Sequence, residues 1–420
     1  MGSHTDGITA ESASDPVHAE ASAEPFRVVI AGGGVAAIEG ALALHELAPG
    51  RVSVTIVAPA PEFVYRPLTV AEPFAYGPAR RYPLAQIAAD TGAALLADSF
   101  AWVDPGERVA HTGDGRELGY DALLLALGAH TRSHYEHVLT IDDRCMDEIL
   151  HGVIQDIEDQ FIASVAFLEP PGAAWPLPIY ELALMTATRA HDVGVDLRVT
   201  VVTPERSPLA IFGAGASEGV SELLERAGVR TFTSAYAQVP QAGHLVISHV
   251  DRPMQAHHNG HPVINPSDRV MQADRIIALP SLSGPAVRGI ASTGHGFIPT
   301  DAHGRVHGSD RVFAAGDATD FPVKQGGLAA QQTDVAAQSI AALAGADIVP
   351  QPFEPILRGT LLTGAAPRYL KARITDGRGF RSEISDTPNW SPPAKIAAKF
   401  LAPYLDKLDR IGEHQVGASS

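Results

Sequence analysis

Hydrophobic and polar positions along the chain alternate between strand-like runs and helix-like periods. Arg27 to Ala31 is a short apolar run ending on Gly32, Gly33 and Gly34, and a small-residue stretch follows with Ala36, Ala37, Ala41 and Ala43. Val52 to Val57 is the next apolar run, so the pattern predicts strand, helix and strand in that order. From Ala93 the pattern becomes β-rich, and Gly113-Asp114-Gly115 between two short runs predicts a hairpin. The run within Asp121 to Leu127, closing on Gly128, predicts a buried strand. Met146, Ile149, Leu150, Val153, Ile157 and Phe161 recur at helical spacing and predict a helix within 142–161. Strand, proline-rich loop and helix follow, then strand, helix and strand again. Residues 236–290 read as β-rich and loop-rich, with a strand over Asp274 to Leu279. Arg311 to Gly345 gives a strand, a Gly-Asp loop and a long Ala-rich helix. Ile396, Phe400, Leu401, Tyr404 and Leu405 form a last apolar stripe, with Lys395, Lys399 and Lys407 interleaved. Residues 1–24 have no periodicity and read as a disordered leader.

The first strand–turn–helix carries chemistry of its own. Gly32, Gly34 and Ala37 occupy the places of a G-x-G-x-x-A dinucleotide fingerprint, with Gly33 between the glycines. The first glycine permits the tight turn, the second lets backbone approach a diphosphate, and the alanine lets helix and strand pack closely. The diphosphate belongs on the free N–H groups of the helix start, where the macrodipole favours negative charge. An acidic residue often ends the second strand of such a unit and binds the adenosine ribose. That place is Ala58 here, and Glu62 is the nearest acid. Farther along, FGAGASEG offers Gly213, Gly215 and Gly219 at the wrong spacing and reads as a loop and helix start.

At 420 residues the chain predicts two or three domains, and 45% hydrophobic with 19% charged residues describes an ordinary globular protein. A net charge of −17 argues against nucleic-acid binding, which needs Lys and Arg to neutralise phosphates. Cys145 is the sole cysteine, which excludes an intramolecular disulfide and any dithiol mechanism. It falls beside an apolar stripe and reads as a small core residue. The sequence has no apolar run of about 18 residues and no signal-peptide pattern, so a cytoplasmic protein is expected. His130, His134 and His137, and separately His257, His258 and His261, lack the ligand partners of a metal site and read as solvated; no metal is expected.

Three motifs, in order, resemble the two-dinucleotide-domain flavoproteins of the pyridine nucleotide–disulfide oxidoreductase superfamily. They are GGGVAAIEGALAL, DALLLALGAH and RVFAAGDAT, and the resemblance extends over nearly all the chain after residue 25. FVYRPL, TPERSPL, FPVKQGG and the WSPPAKIA…LAPYL tail are similar to the sulfide:quinone reductase and type II NADH dehydrogenase branch. The resemblance implies an α/β fold of two Rossmann-like three-layer domains with a small C-terminal segment. It implies an FAD domain of residues 26–140 and 291–345, an NAD-like domain of 141–290, and a C-terminal segment of 346–420. FAD would be held by Gly32, Gly33, Gly34, Ala37, Gly128 and Gly316. Asp317 would bond the ribityl chain, Lys324 and Gln325 would lie at the pyrimidine edge, and the loop carrying Arg66 would border the ring. A small redox substrate such as a quinone and a homodimer are expected partners.

Two departures narrow this expectation. The FPVKQGG loop has no cysteine, so relay through a cysteine pair is not expected. The second nucleotide loop reads LEPPGAAWPLP, in which Pro170 and Pro171 have no N–H to offer a phosphate and Trp175 fills space. That loop is degenerate for NAD(P)H. The tail stripe fits a membrane surface, a dimer contact or packing within the chain. The expected reaction is two-electron transfer at FAD from an unidentified donor. No general acid or base stands out, and His130 and Trp175 are candidates to approach the ring. A non-catalytic FAD sensor or assembly protein, and a reductase serving a protein electron carrier, are the alternatives.

Overall fold

The computed structural model describes residues 24–249, 268–375 and 379–417. The leader through residue 23 and the group His257, His258 and His261 lie outside the described residues. The chain runs through β1 (Phe26–Ala31), α1 (Val35–Leu47), β2 (Val52–Val57), α2 (Leu84–Thr91), β3 (Ala94–Leu96) and β4 (Ala122–Leu125). It continues through α3 (Met146–Glu158), β5 (Ser164–Leu168), α4 (Leu177–Asp192), β6 (Arg198–Val202), α5 (Ala214–Arg226), β7 (Arg230–Phe232) and β8 (Arg275–Ala278). The last elements are β9 (Val312–Ala314), α6 (Gly326–Leu343), β10 (Ile356–Leu361), β11 (Arg368–Thr375), β12 (Gly379–Ser385) and α7 (Leu401–Gly417).

Two parallel sheets organise these elements into a Rossmann-like α/β fold. The first has the order β9-β4-β1-β2-β3, so a strand from far downstream closes a sheet begun at Phe26. Val28, Val29, Ile30 and Ala31 are all buried, because parallel strands are covered on both faces and read as unbroken apolar runs. α1 and α6 cover one face with small residues, Ala37, Ala41, Ala336 and Ala337, that allow close approach. The second sheet has Leu139–Thr140 at its edge and then the order β8-β5-β6-β7, also parallel. β10, β11 and β12 form an antiparallel sheet whose inner residues Leu357, Leu361 and Leu370 join the core around α4 and α5.

Three sequence expectations shift. The buried strand is shorter than 121–127, because the Asp121 carboxylate turns to Arg27 and bonds its N–H at 2.8 Å. α3 ends at Glu158, so Phe161 does not extend its apolar stripe and is 76% exposed. The tail helix begins at Leu401, and Ile396 and Phe400 precede it. Ile396, Leu401 and Leu405 are buried in the core formed by α1 and α2, with Phe400 and Tyr404 packed against it. The apolar stripe is therefore covered within the chain.

Candidate functional site

The C-terminal ends of β1, β4 and β9 converge, and the chain places its glycine turns there. Gly32 has φ +130°, and a Cβ would overlap the Ala126 carbonyl at the end of β4, so only glycine fits. Gly33 is nearly as confined, since a Cβ would lie 2.8 Å from Leu84 Cδ1. Gly34, the N-cap of α1, is the opposite case: a Cβ there would meet nothing within 4 Å. No side chain caps α1, and no acid occupies its first turn. Its start is thus an open, partially positive cradle above buried Ala37. Gly316 follows β9 at φ +76°, and a Cβ would be 3.2 Å from both Ala36 and Ala329. That close approach brings the Gly316 turn against the first turn of α1. Gln332 fixes it by accepting the Gly316 N–H at 2.7 Å, and Thr319 donates to the Gly316 carbonyl at 2.9 Å. Gly128, at φ +72°, also borders open space.

Four charges gather beside this junction. Asp317 is half-buried, and its surroundings push the carboxyl up to about 6, through desolvation and the nearby Asp143, against the pull of Lys324 and Arg66. Asp143 is pushed up in the same way although its side chain is 48% exposed. Both carboxylates are thus reached by solvent while protein surrounds them closely enough to disfavour their charge. Arg66 opens the short 3-10 helix Arg66–Phe74 and lies 3.4 Å from Asp143. Lys324 is buried, and burial pulls its ammonium down to about 8, against Asp317 and Asp320. Its Nζ donates to the Thr319 and Phe321 carbonyls at 2.5 and 2.6 Å and sits 4.1 Å from the Phe297 ring centroid.

Of the other residues singled out in the sequence, Gln325 and the Trp175 loop adjoin the Lys324 segment, and the rest lie on elements of their own. The side chain of Gln325 is engaged by the fold: Oε1 caps α6 at the Leu328 N–H, and Nε2 donates to the Arg358 carbonyl at 3.0 Å. The Gln325 side chain is therefore occupied within the protein. Trp175 lies on Phe212, with centroids 5.8 Å apart, and its neighbour Ala174 accepts the Lys324 N–H at 3.2 Å. The proline-rich loop of the second sheet is thereby tied to the Lys324 segment. His130 is exposed on a short strand paired with Ser281–Ser283. Glu62 lies 3.9 Å from Arg81 on a two-stranded ribbon. Cys145 is half-buried at the N-cap of α3, rather than in the core, and desolvation with Asp142 and Glu148 pushes its thiol up, the reverse of activation. Among the described residues, no His, Cys, Asp and Glu side chains gather into a metal-holding group.

Near the ends of β5 and β6 lies a pair of acids, buried Glu169 and half-buried Glu205, that no local sequence signal announces. Glu169 is pushed up to about 8 by burial and by Glu205. Glu205 accepts from Tyr180 Oη at 2.6 Å and from the Leu209 N–H at 3.2 Å, and Glu169 from Thr203 Oγ1 at 2.5 Å. An acid at the end of a domain's second strand is placed to bind a ribose, but the Glu205 carboxylate holds its own loop instead. Gly219 of the FGAGASEG stretch packs on β12, where a Cβ would be 2.9 Å from Ile384.

Residues 26–148 match the protein family described as pyridine nucleotide-disulphide oxidoreductase. Over that segment the chain is similar to that family. FAD is its cofactor and oxidoreduction its class of reaction. Solved structures share the flavoprotein's fold at low identity. A sulfide:quinone oxidoreductase from Aquifex aeolicus is 17% identical with a TM-score of 0.71, covering 86% of this chain and 87% of that one. A ferredoxin reductase from Rhodopseudomonas palustris is 19% identical with a TM-score of 0.61, covering 86% and 88%. An NAD-dependent persulfide reductase from A. fulgidus is 17% identical with a TM-score of 0.57, covering 84% and 64%. No curated protein sequence matches the chain. Among the described residues no helix is long and apolar enough to cross a membrane.

Proposed function

We propose that the flavoprotein holds FAD noncovalently and passes an electron pair from a small donor to a quinone or another small acceptor, without a redox disulfide. The observation that carries this reading is the meeting of the open Gly34 cradle with the Asp317–Lys324 cleft, in a loop without a thiol. The residues fit the cofactor. Gly32, Gly33, Gly34 and Ala37 would hold its diphosphate on the start of α1. Asp317 would accept from ribityl hydroxyls, since among the described residues no protein donor hydrogen-bonds its carboxylate. Gly128 and Arg66 would border the ring, and Lys324 with the backbone at Gln325 would face its pyrimidine edge. Residues 26–140 and 291–345 would form the FAD unit, 141–290 the degenerate NAD-like unit, and 346–420 the C-terminal segment.

When bound, FAD supplies a two-electron store whose reduction leaves negative charge on its N1–O2 edge. Lys324 would supply a fixed positive charge to that edge, since two carbonyls already orient its ammonium. Trp175, tied to Lys324 through Ala174, would limit water at that end.

Anaerobic mixing of the FAD-loaded protein with NADH, NADPH, sulfide and a quinol in turn tests the reading. Bleaching of the flavin band faster than about once per second by one donor is expected of an enzyme. Inertness to all four would favour a non-catalytic FAD sensor or assembly protein. A second enzymatic reading, reductase of a protein electron carrier, is favoured by the net charge of −17, which suits a basic carrier. Reoxidation by such a carrier but not by quinone would select it.

A further inference from the structure

The C-terminal sheet carries two groups that the redox site does not use. Along β10 the side chains alternate. Leu357 and Leu361 are buried in the core, and a Cβ on Gly359 would lie 2.7 Å from the Phe212 ring. Arg358 and Thr360 therefore take the opposite face. There Lys371 of β11 stands across from Arg358, and Tyr369 across from Thr360. Trp390 meets Tyr369 edge-on with centroids 5.5 Å apart, so the segment after β12 partly roofs this face. Glu383, across from Lys371 on its other side, accepts from Asn389 at 2.8 Å.

Thr360 is 7% exposed, and its Oγ1 has no hydrogen-bond partner. Arg358 is half-buried, and its buried Nε–H also has no acceptor. Arg27, Arg189 and Arg275 each pair with a carboxylate, whereas no described carboxylate pairs with Arg358. Burial alone acts on its guanidinium and disfavours the charge. An unpaired buried donor costs about 1–3 kcal/mol, and more when charged. A planar fork of donors and a hydroxyl two residues apart on one face want an acceptor with several oxygens.

We propose that Arg358 and Thr360 form a binding site for an anionic oxygen group, a carboxylate or a sulfate-like oxyanion, on the outer face of the C-terminal sheet. Lys371 adds positive charge beside it, and Tyr369 with Trp390 offers an aromatic wall to an organic anion. The Arg358 carbonyl accepts from Gln325 Nε2, so the strand that carries this site is anchored to the start of α6. The site stands whether or not the redox reading holds.

Isothermal titration of the FAD-loaded protein at constant ionic strength decides it, with sodium sulfate and sodium benzoate as probes and sodium chloride as the control. Saturable binding of at least one probe is expected. Affinity should fall at least tenfold in Arg358→Gln and severalfold in Thr360→Val, with flavin content unchanged. Sulfate alone would identify a free oxyanion, benzoate alone an organic carboxylate, and both the shared oxygen chemistry. Binding of neither probe, or wild-type affinity in Arg358→Gln, overturns the proposal. If Arg358→Gln does not fold, Thr360→Val decides by itself, and an unchanged affinity there is fatal.

Discussion

Gly32 and Gly34 differ by two positions and should fail differently when changed to alanine. At Gly32 the backbone is left-handed and a Cβ overlaps Ala126, so Gly32→Ala should lose about 2 kcal/mol or more of stability and purify without flavin. At Gly34 the Cβ meets open space, so Gly34→Ala should keep its melting temperature in the FAD-free form. Its affinity for FAD should drop at least tenfold, read by flavin fluorescence, if the diphosphate occupies that space. The charged cleft gives a prediction with a definite sign. Asp317 has its carboxyl raised in the fold from 3.8 to about 6, so its contribution is fully present below pH 4 and is lost as pH rises through 6. The FAD-free protein should thus gain stability at pH 7 from Asp317→Asn, on the order of 2–3 kcal/mol. The same change should weaken FAD, and denaturation curves with and without cofactor measure both. A variant that binds FAD normally would remove Asp317 from the site. The turns at Gly32 and Gly316 were legible because turn chemistry follows sequence spacing. Asp143 and the Ala126 carbonyl were not, because nothing in their local sequence says which distant turn they face.

At the scale of elements, the first strand, helix and strand follow their apolar pattern closely, since burial on both faces leaves no polar alternation to misread. The tail was legible only as an amphipathic stripe, because such a stripe does not name what it covers. Its partner is set by Glu39, which α1 buries completely. The Glu39 carboxylate accepts the N–H groups of Lys399, Phe400 and Leu401 at 2.9, 2.9 and 2.5 Å and so caps α7 from another helix. Glu39→Ala would strand these donors and should cost about 2–4 kcal/mol. Limited proteolysis should then cut ahead of α7 while the remainder resists. Asp334 on α6 shares this site, and burial with Glu39 pushes its carboxyl up to about 8. Its stabilising effect is fully present below about pH 4, declines as pH rises and is gone above about 8, so cleavage should quicken between about pH 5 and 8 and level off beyond. Asp334→Asn should flatten that dependence, and an unchanged profile would separate the acid pair from the tail's anchorage.

For the whole molecule, the deciding contact is a buried ion pair that joins three distant parts of the chain. Lys395, ahead of α7, reaches Glu181 on α4 at 2.8 Å and the Pro67 carbonyl at 2.7 Å, with side chains 8% and 1% exposed. Glu181 also accepts the Leu362 N–H beyond β10 at 2.9 Å. Desolvation opposes both charges, raising the Glu181 carboxyl and lowering the Lys395 ammonium, so the pair persists only while both members are present. Lys395→Met should therefore cost about 3–5 kcal/mol by leaving Glu181 uncompensated. Adding Glu181→Gln should recover most of that, since the amide still accepts from Leu362 without a buried charge. The two variants also separate stability from function. Pro67 follows Arg66 directly, so losing the Lys395 bond should loosen the cleft and speed FAD release in both, even where the double variant regains its denaturation midpoint. Recovery of FAD retention together with stability would mean that the pair only fastens the tail. Persistent loss would show that it holds the Arg66 side of the cofactor cleft in place.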